Sequence, residues 1–268
     1  MTFLLQLLFA HILADFLFQA DSLVIKKENK EFKGFVYHGL IVFITQVILT
    51  FNFFSLKTLV VLFLISLLHI VIDLGKVSLI DYYEKVLNRK YPGSFDFYTF
   101  LIDQLLHLVI IFIAFSSYVP VQNVIVSNLF YQILNTSAVS VFGQTISKRN
   151  SSIDLNNVLA VLAVYLFVCF GGAVLVQKFL GYLYRKKAAG FNADFKVGRY
   201  IGILERFIIL TLVLNGSISS VAIVFTAKSI ARHNELGDKQ FAEYYLLGTL
   251  TSSIVAIVGG LLLNFYIR

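Results

Sequence analysis

The chain has 268 residues, 58% of them hydrophobic and only 14% charged, with a mean hydropathy of +0.83, a balance that excludes an ordinary soluble domain of this length. Its net charge of +7 does not mark a nucleic-acid binder, because the basic residues border apolar blocks, the usual signature of orientation in a membrane. The single cysteine, Cys169, excludes an intrachain disulfide.

In chain order, apolar runs at 2–19, 34–54, 56–80, 99–119, 158–180, 198–226 and 244–266 each approach the ~20 residues that cross hydrocarbon about 30 Å thick. They predict an all-α integral membrane protein with about seven transmembrane helices. Backbone amides in lipid must be satisfied within their own segment, and no alternating ten-residue pattern points to a barrel. Pro92 and Pro120 fall between runs, as unbroken helices require. The first run lacks the basic start and small-residue cleavage site of a secretory signal and carries His11 and Asp15, so it is expected to persist as a helix. Segment 121–146 is apolar but studded with Asn, Gln and Ser; it either lies at the interface or adds an eighth span. The expected organisation is a four-helix membrane core at 1–119, a connection at 120–156 and a three-helix membrane region at 157–268.

Lys and Arg concentrate on alternate connections: Lys26, Lys27, Lys30 and Lys33, then Lys76, Lys85, Arg89 and Lys90, then the group from Lys178 to Arg199. With seven spans this places the amino terminus outside and the carboxyl terminus in the cytoplasm. Helices one to four keep their relative arrangement whether or not 121–146 crosses.

Ionisable residues occur where a membrane helix tolerates them least. Helix one carries His11 and Asp15, helix three His69 and Asp73, helix four Asp103 and His107, and helix two opens with His38. An Asp at mid-span costs about 2.5–3.5 kcal/mol on insertion scales, so such a set demands a partner or a purpose. Each pair is spaced i, i+4, which places both side chains on one helix face. The antiparallel fourth helix has the reverse order, so Asp15, Asp73, Asp103 and His38 are expected one turn deep, and His11, His69 and His107 two turns deep. Carboxylate oxygen and imidazole nitrogen are ligands for a divalent transition metal, Zn²⁺ or Mn²⁺ foremost, and seven of them suit two ions better than one. Three carboxylates against two divalent ions leave one positive charge for a hydroxide or an anionic substrate. On this reading His11, Asp15, His69, Asp73, Asp103 and His107 bind metal and His38 is a ligand or general base. Lys76 binds a phosphate or pairs with an acid, and Gln19 and Gln104 support the ligands by hydrogen bonds. The bland alternative is that each His packs by hydrogen bonding and each Asp faces interfacial water.

The motifs His11-x-x-x-Asp15-Phe16-x-x-Gln19, His38, His69-x-x-x-Asp73-x-x-Lys76 and Asp103-Gln104-x-x-His107 resemble the bacterial membrane proteins grouped as domain-of-unknown-function family 3307. Members with a long tail also resemble the stretch from Gly198 to Arg206, then Ala227 to Arg232 and Ala242 to Tyr245 through Gly248-Thr249. The resemblance implies a multi-pass protein of the bacterial inner membrane and names no activity. A weaker likeness joins the His/Asp helices to membrane-bound metal-dependent hydrolases of the type induced by DNA damage, an analogy that implies metal-assisted hydrolysis.

The leading expectation is therefore a metal-dependent hydrolase acting at the cytoplasmic interface on a lipid-linked or small anionic substrate. A metal- or proton-coupled transporter is the competing class, for which polar residues near the midplane on broken helices are expected. Here the runs lack Pro and the polar cluster is shallow. A third class is a scaffold that uses metal only to fold. In the carboxyl-terminal part, Glu205 and Arg206 beside Arg199, with Lys228, Arg232, Glu235 and Glu243 flanking the next connection, are expected to form ion pairs that lock helices six and seven.

Overall fold

The structure is a computed structural model that describes residues 1–87, 92–124, 155–184 and 194–267. The described residues form helices α1 (Thr2–Ile12), α2 (Asp21–Glu28), α3 (Phe32–Leu49), α4 (Leu56–Leu87), α5 (Gly93–Ser117), α6 (Leu155–Leu183), α7 (Asp194–Leu214), α8 (Val221–Ala231) and α9 (Lys239–Ile267). Five of them, α3, α4, α5, α6 and α9, are long and apolar enough to cross a membrane, or six if α1 with its continuation and α2 count as one bent span. The chain is thus an all-helical protein with several spans. Most of segment 121–146 lies outside the described residues.

The first run is helical over Thr2–Leu17, with a π-turn at Leu13–Leu17, and beyond its end α2 leaves at 82°. Ala20 is extended (ψ 151°), and the polar pair Gln19 and Asp21 marks the corner. One expectation about spans is corrected: the run 198–226 is interrupted. Gly216 adopts φ 74°, Ser217 N–H donates to Leu212 O at 2.8 Å and Gly216 N–H to Val213 O at 3.0 Å, a glycine-closed helix end. Helix α7 is 21 residues long, but Arg199, Glu205 and Arg206 keep it out of the apolar set.

The helices are built inside out relative to a soluble protein. On α4 the buried residues Thr58, Leu62, Ser66, His69 and Asp73 recur every three or four positions, a single face. Its opposite face exposes Val60, Phe63, Leu64, Leu67, Leu68 and Val71. Apolar surface outward and polar groups inward is what a lipid environment selects.

The chain divides into two compact units. The first comprises residues 1–77 and 104–160. Its apolar core gathers Phe3, Leu4, Leu7, Phe53, Leu62, Ile65 and Ile111. One end is closed by polar contacts, with Thr58 and Ser55 bonded to Tyr118 Oη at 2.8 and 3.4 Å. The second unit comprises residues 78–103 and 161–268, with a core of Val168, Ile209, Leu210, Val213, Val221 and Ala256. There, α6 contains a second π-turn, Phe167–Gly171. A π-turn disturbs the i to i+4 ladder, and the buried Arg206 serves the carbonyls around it. Its Nε donates to Val168 O at 2.8 Å, Nη2 to Cys169 O at 2.8 Å and Nη1 to Ser252 Oγ at 2.9 Å. The expected ion pairs are thus only part of the arrangement: Glu205 pairs with Lys228 at 2.7 Å and Arg232 with Glu235 at 2.9 Å, while Arg206 is held by neutral oxygens.

Candidate metal centre

Within the first unit, three helices converge on one carboxylate. Asp15 sits in the middle of the π-turn that ends α1, and π-turns recur at functional sites because they re-aim side chains. Its Oδ1 lies 3.4 Å from His38 Nε2, 3.4 Å from His69 Nε2 and 3.7 Å from His11 Nδ1, and its Oδ2 lies 3.9 Å from His107 Nδ1. Four imidazoles surround it. Oδ1 is buried and accepts no well-formed hydrogen bond.

At the approach of α3 to α4 that brings His38 and His69 together, the Ile70 side chain packs over Gly39, and it would have to move aside for a Cβ at this position. His38 Nε2 and His69 Nε2 then stand 3.0 Å apart, close enough for one N–H to donate to the other nitrogen when no ion lies between them. The rings of His69 and His107 stack at 3.8 Å and 12°, and the His11 ring lies 5.3 Å from His107 and 5.8 Å from His69. Asp73 approaches from α4, its Oδ2 3.8 Å from His38 Nε2 and 4.0 Å from His69 Nε2.

The four histidines and Asp73 are buried, His38 being 1% and His107 2% exposed, while Asp15 is half-buried with its side chain turned inward. Both ring nitrogens of His107, and Nδ1 of His38, lack hydrogen-bond partners. Against His11, His69 and His107 lies a void of about 10 Å³, also lined by Gln46 and three isoleucines. That volume admits about one water-sized occupant.

Two ligand groups emerge in this unit, His11, Asp15, His69 and His107 in one and His38, His69 and Asp73 in the other, each offering atoms within 4.8 Å of one another. The tightest triangle, made by His38 Nε2, His69 Nε2 and Asp15 Oδ1, has edges of 3.0, 3.4 and 3.4 Å. Zinc held tetrahedrally at 2.0–2.1 Å has ligand atoms about 3.3–3.4 Å apart. Two edges of the triangle match one face of such a site, and the third, the His38–His69 hydrogen bond, is about 0.3 Å shorter.

Of the remaining sequence-selected residues, Asp103 is buried on α5, one turn before His107 and with ligand atoms within 4.8 Å of it. Gln104 and Lys76 are half-buried on α5 and α4. Gln19, with its amide turned to suit its neighbours, donates to Asp15 O at 3.2 Å and accepts from Lys27 Nζ. Lys27 is the residue that sequence reasoning missed. It is 8% exposed, and its Nζ donates to Asp73 Oδ2 at 2.9 Å. The sequence carries no signal that separates it from Lys26, Lys30 and Lys33, which share the short segment between the first two apolar runs.

Residues 3–135 match the family described as protein of unknown function (DUF3307). The chain belongs to this family. The DUF3307 match contains every residue of the cluster and stops short of the tail motifs. No curated protein and no solved structure matches the chain, so the likeness to membrane-bound hydrolases finds no support.

Proposed function

We propose that this membrane protein binds one divalent transition metal, Zn²⁺ or Mn²⁺, at His38, His69 and Asp15, and uses it for hydrolysis of a lipid-linked or small anionic substrate at the cytoplasmic face of a bacterial inner membrane. The observation that carries the reading is the triangle of ligand atoms, two of its edges those of a tetrahedral face, around a buried carboxylate oxygen that accepts no hydrogen bond. His11, His107 and Asp73 stand close enough to complete the coordination by small side-chain movements. A bound divalent ion supplies a water whose pKa falls toward ~7, a nucleophile at neutral pH.

Charge favours fewer ions than the two expected from three carboxylates, because Lys27 already offsets the charge of Asp73. Gln19, hydrogen-bonded to both the Asp15 backbone and Lys27, orients the ligands from outside, as does Gln104 from α5.

One observation favours a second reading. The first helix ends in a π-turn beside the cluster and α2 leaves it at an 82° corner, and discontinuous helices with polar residues at the break are a feature of transporters. A metal transporter of this kind would release its ion across the membrane, whereas a hydrolase would retain it.

Elemental analysis of protein purified in detergent without chelator tests the common premise. About one equivalent of transition metal is expected. Metal content near zero, with no uptake on adding Zn²⁺ or Mn²⁺, overturns the reading. Metal flux into proteoliposomes that depends on His38 and His69 would favour transport over hydrolysis.

A further inference from the structure

We propose that the Lys27 ammonium is a resident cation of the metal centre, so that metal entry and docking of α2 compete for Asp73. The inference rests on the metal reading above and deepens it, because it assigns the residue that regulates occupancy.

The position of Lys27 is built, not incidental. After α1 ends, α2 folds back beside α3 and is closed by a helix-end motif: Glu31 N–H donates to Lys26 O at 2.9 Å and Lys30 N–H to Lys27 O at 2.9 Å. Lys30 takes φ 60° to close it, a conformation that costs a non-glycine residue energy. Gly34 at the start of α3 admits the returning chain, since a Cβ there would stand 2.9 Å from Lys26 Cβ and 3.1 Å from Lys27 N. The result is a lysine carried inward over the cluster, its ammonium held by Asp73 at 2.9 Å and by the Gln19 carbonyl oxygen. Its neighbours Glu28, Asn29 and Lys30 are exposed. Only the residue facing Asp73 goes in.

Asp73 Oδ2 lies 3.8 and 4.0 Å from the two Nε2 atoms of His38 and His69, wider than the about 3.3–3.4 Å that shared tetrahedral ligation requires. Asp73 is thus positioned as a ligand in waiting, drawn toward Lys27 instead. An ion about 2.0–2.2 Å from Oδ2 would stand no more than about 5 Å from Nζ. Two cations so close in a buried site repel strongly, since little water screens them. When the ion takes Asp73, the ammonium loses its counter-charge, and an ammonium buried without one is strongly disfavoured. Helix α2 is then expected to lift, which would also widen access to the buried ligands.

The test uses the full-length protein in detergent, stripped of metal and titrated with Mn²⁺, free Mn²⁺ being read by its paramagnetic resonance signal. Lys27→Met keeps the stem and removes the charge, and Lys27→Arg keeps the charge. Lys27→Met is expected to bind Mn²⁺ about 10–100-fold more tightly than wild type, the range of changes just outside a metal's ligands, with Lys27→Arg close to wild type. Amide hydrogen exchange over residues 21–28 is expected to accelerate when wild type is loaded with Mn²⁺, and this readout decides the matter alone if Lys27→Met does not fold. Equal or weaker binding by Lys27→Met, or slow α2 exchange in metal-loaded wild type, shows Lys27 to be a fixed strut and overturns the inference while the metal centre stands. Absence of Mn²⁺ and Zn²⁺ binding by wild type and Lys27→Met alike removes the metal centre and the inference with it.

Discussion

Asp15→Asn is expected to stabilise the metal-free protein while destroying its metal site, two effects of opposite sign from one atom pair. Without metal, Asp15 Oδ1 is a buried carboxylate oxygen facing imidazole nitrogens at 3.4–3.7 Å with no well-formed hydrogen bond. An unsatisfied buried polar group costs about 1–3 kcal/mol, more when charged. Asn has the same shape, carries no charge and can donate to an imidazole nitrogen, so the metal-free variant should gain about 1–3 kcal/mol. With metal the balance reverses. Removing an anionic ligand should weaken binding by more than the ~100-fold upper range of changes outside the ligand shell, and ~100-fold corresponds to about 2.7 kcal/mol. Thermal unfolding in detergent, with chelator and with excess Zn²⁺, reads both effects. At a free concentration near 100 times Kd, bound metal adds about 2.7 kcal/mol to wild type, on the order of 5–10 °C for a chain of this size, and nothing to Asp15→Asn. A variant that melts lower than wild type in chelator, together with a wild type insensitive to Zn²⁺, would show that Asp15 holds the helices together as a hydrogen-bonded hub and would refute the reasoning.

Lys30→Gly relieves the positive φ that closes α2 and should raise stability by about 0.5–1 kcal/mol, the left-handed penalty less the extra freedom of unfolded glycine; a lower melting temperature would show that the Lys30 side chain contributes more than its backbone costs. In the second unit, a Cβ at Gly260 would stand 2.6 Å from Val213 Cγ1 and 2.9 Å from Val213 Cβ. Gly260→Val should therefore cost about 1–3 kcal/mol by overpacking α7 against α9 with metal stoichiometry unchanged in the folded fraction, and a variant as stable as wild type would contradict the close packing.

The spans were legible where hydropathy alone decides. Runs 34–54, 56–80, 99–119, 158–180 and 244–266 correspond to α3, α4, α5, α6 and α9, since a continuous apolar stretch in lipid has no alternative to a helix. The misreading of 198–226 had a local signal against it, Asn215-Gly216-Ser217, which composition over a long window averages away although a glycine with φ 74° is what ends the helix. The direction of the chain beyond the first run had almost none. Gln19-Ala20-Asp21 contains neither Pro nor Gly, and the π-turn that precedes it is a tertiary feature that no local propensity records.

The cluster was legible for a geometric reason, and its resident cation was not, for the same reason. A spacing of i, i+4 fixes two side chains on one helix face whatever the tertiary structure, so His11 with Asp15 and His69 with Asp73 could be paired before any fold was known. The cost of ionisable groups in lipid then requires those faces to meet, as His38, His69 and Asp15 do at 3.0–3.4 Å. Lys27 obeys neither rule. It stands in a segment whose lysines read as flank charges, and it reaches an acid 46 residues away only because the chain turns back after α1. Charge conservation offered the one route to it. Three intramembrane acids left a deficit that two metal ions were invoked to fill, and the buried Lys27 ammonium covers part of the same deficit with a residue already in the chain. Metal stoichiometry and the behaviour of Lys27→Met must therefore be explained together, because the ammonium and any bound ion draw on the same carboxylate, Asp73.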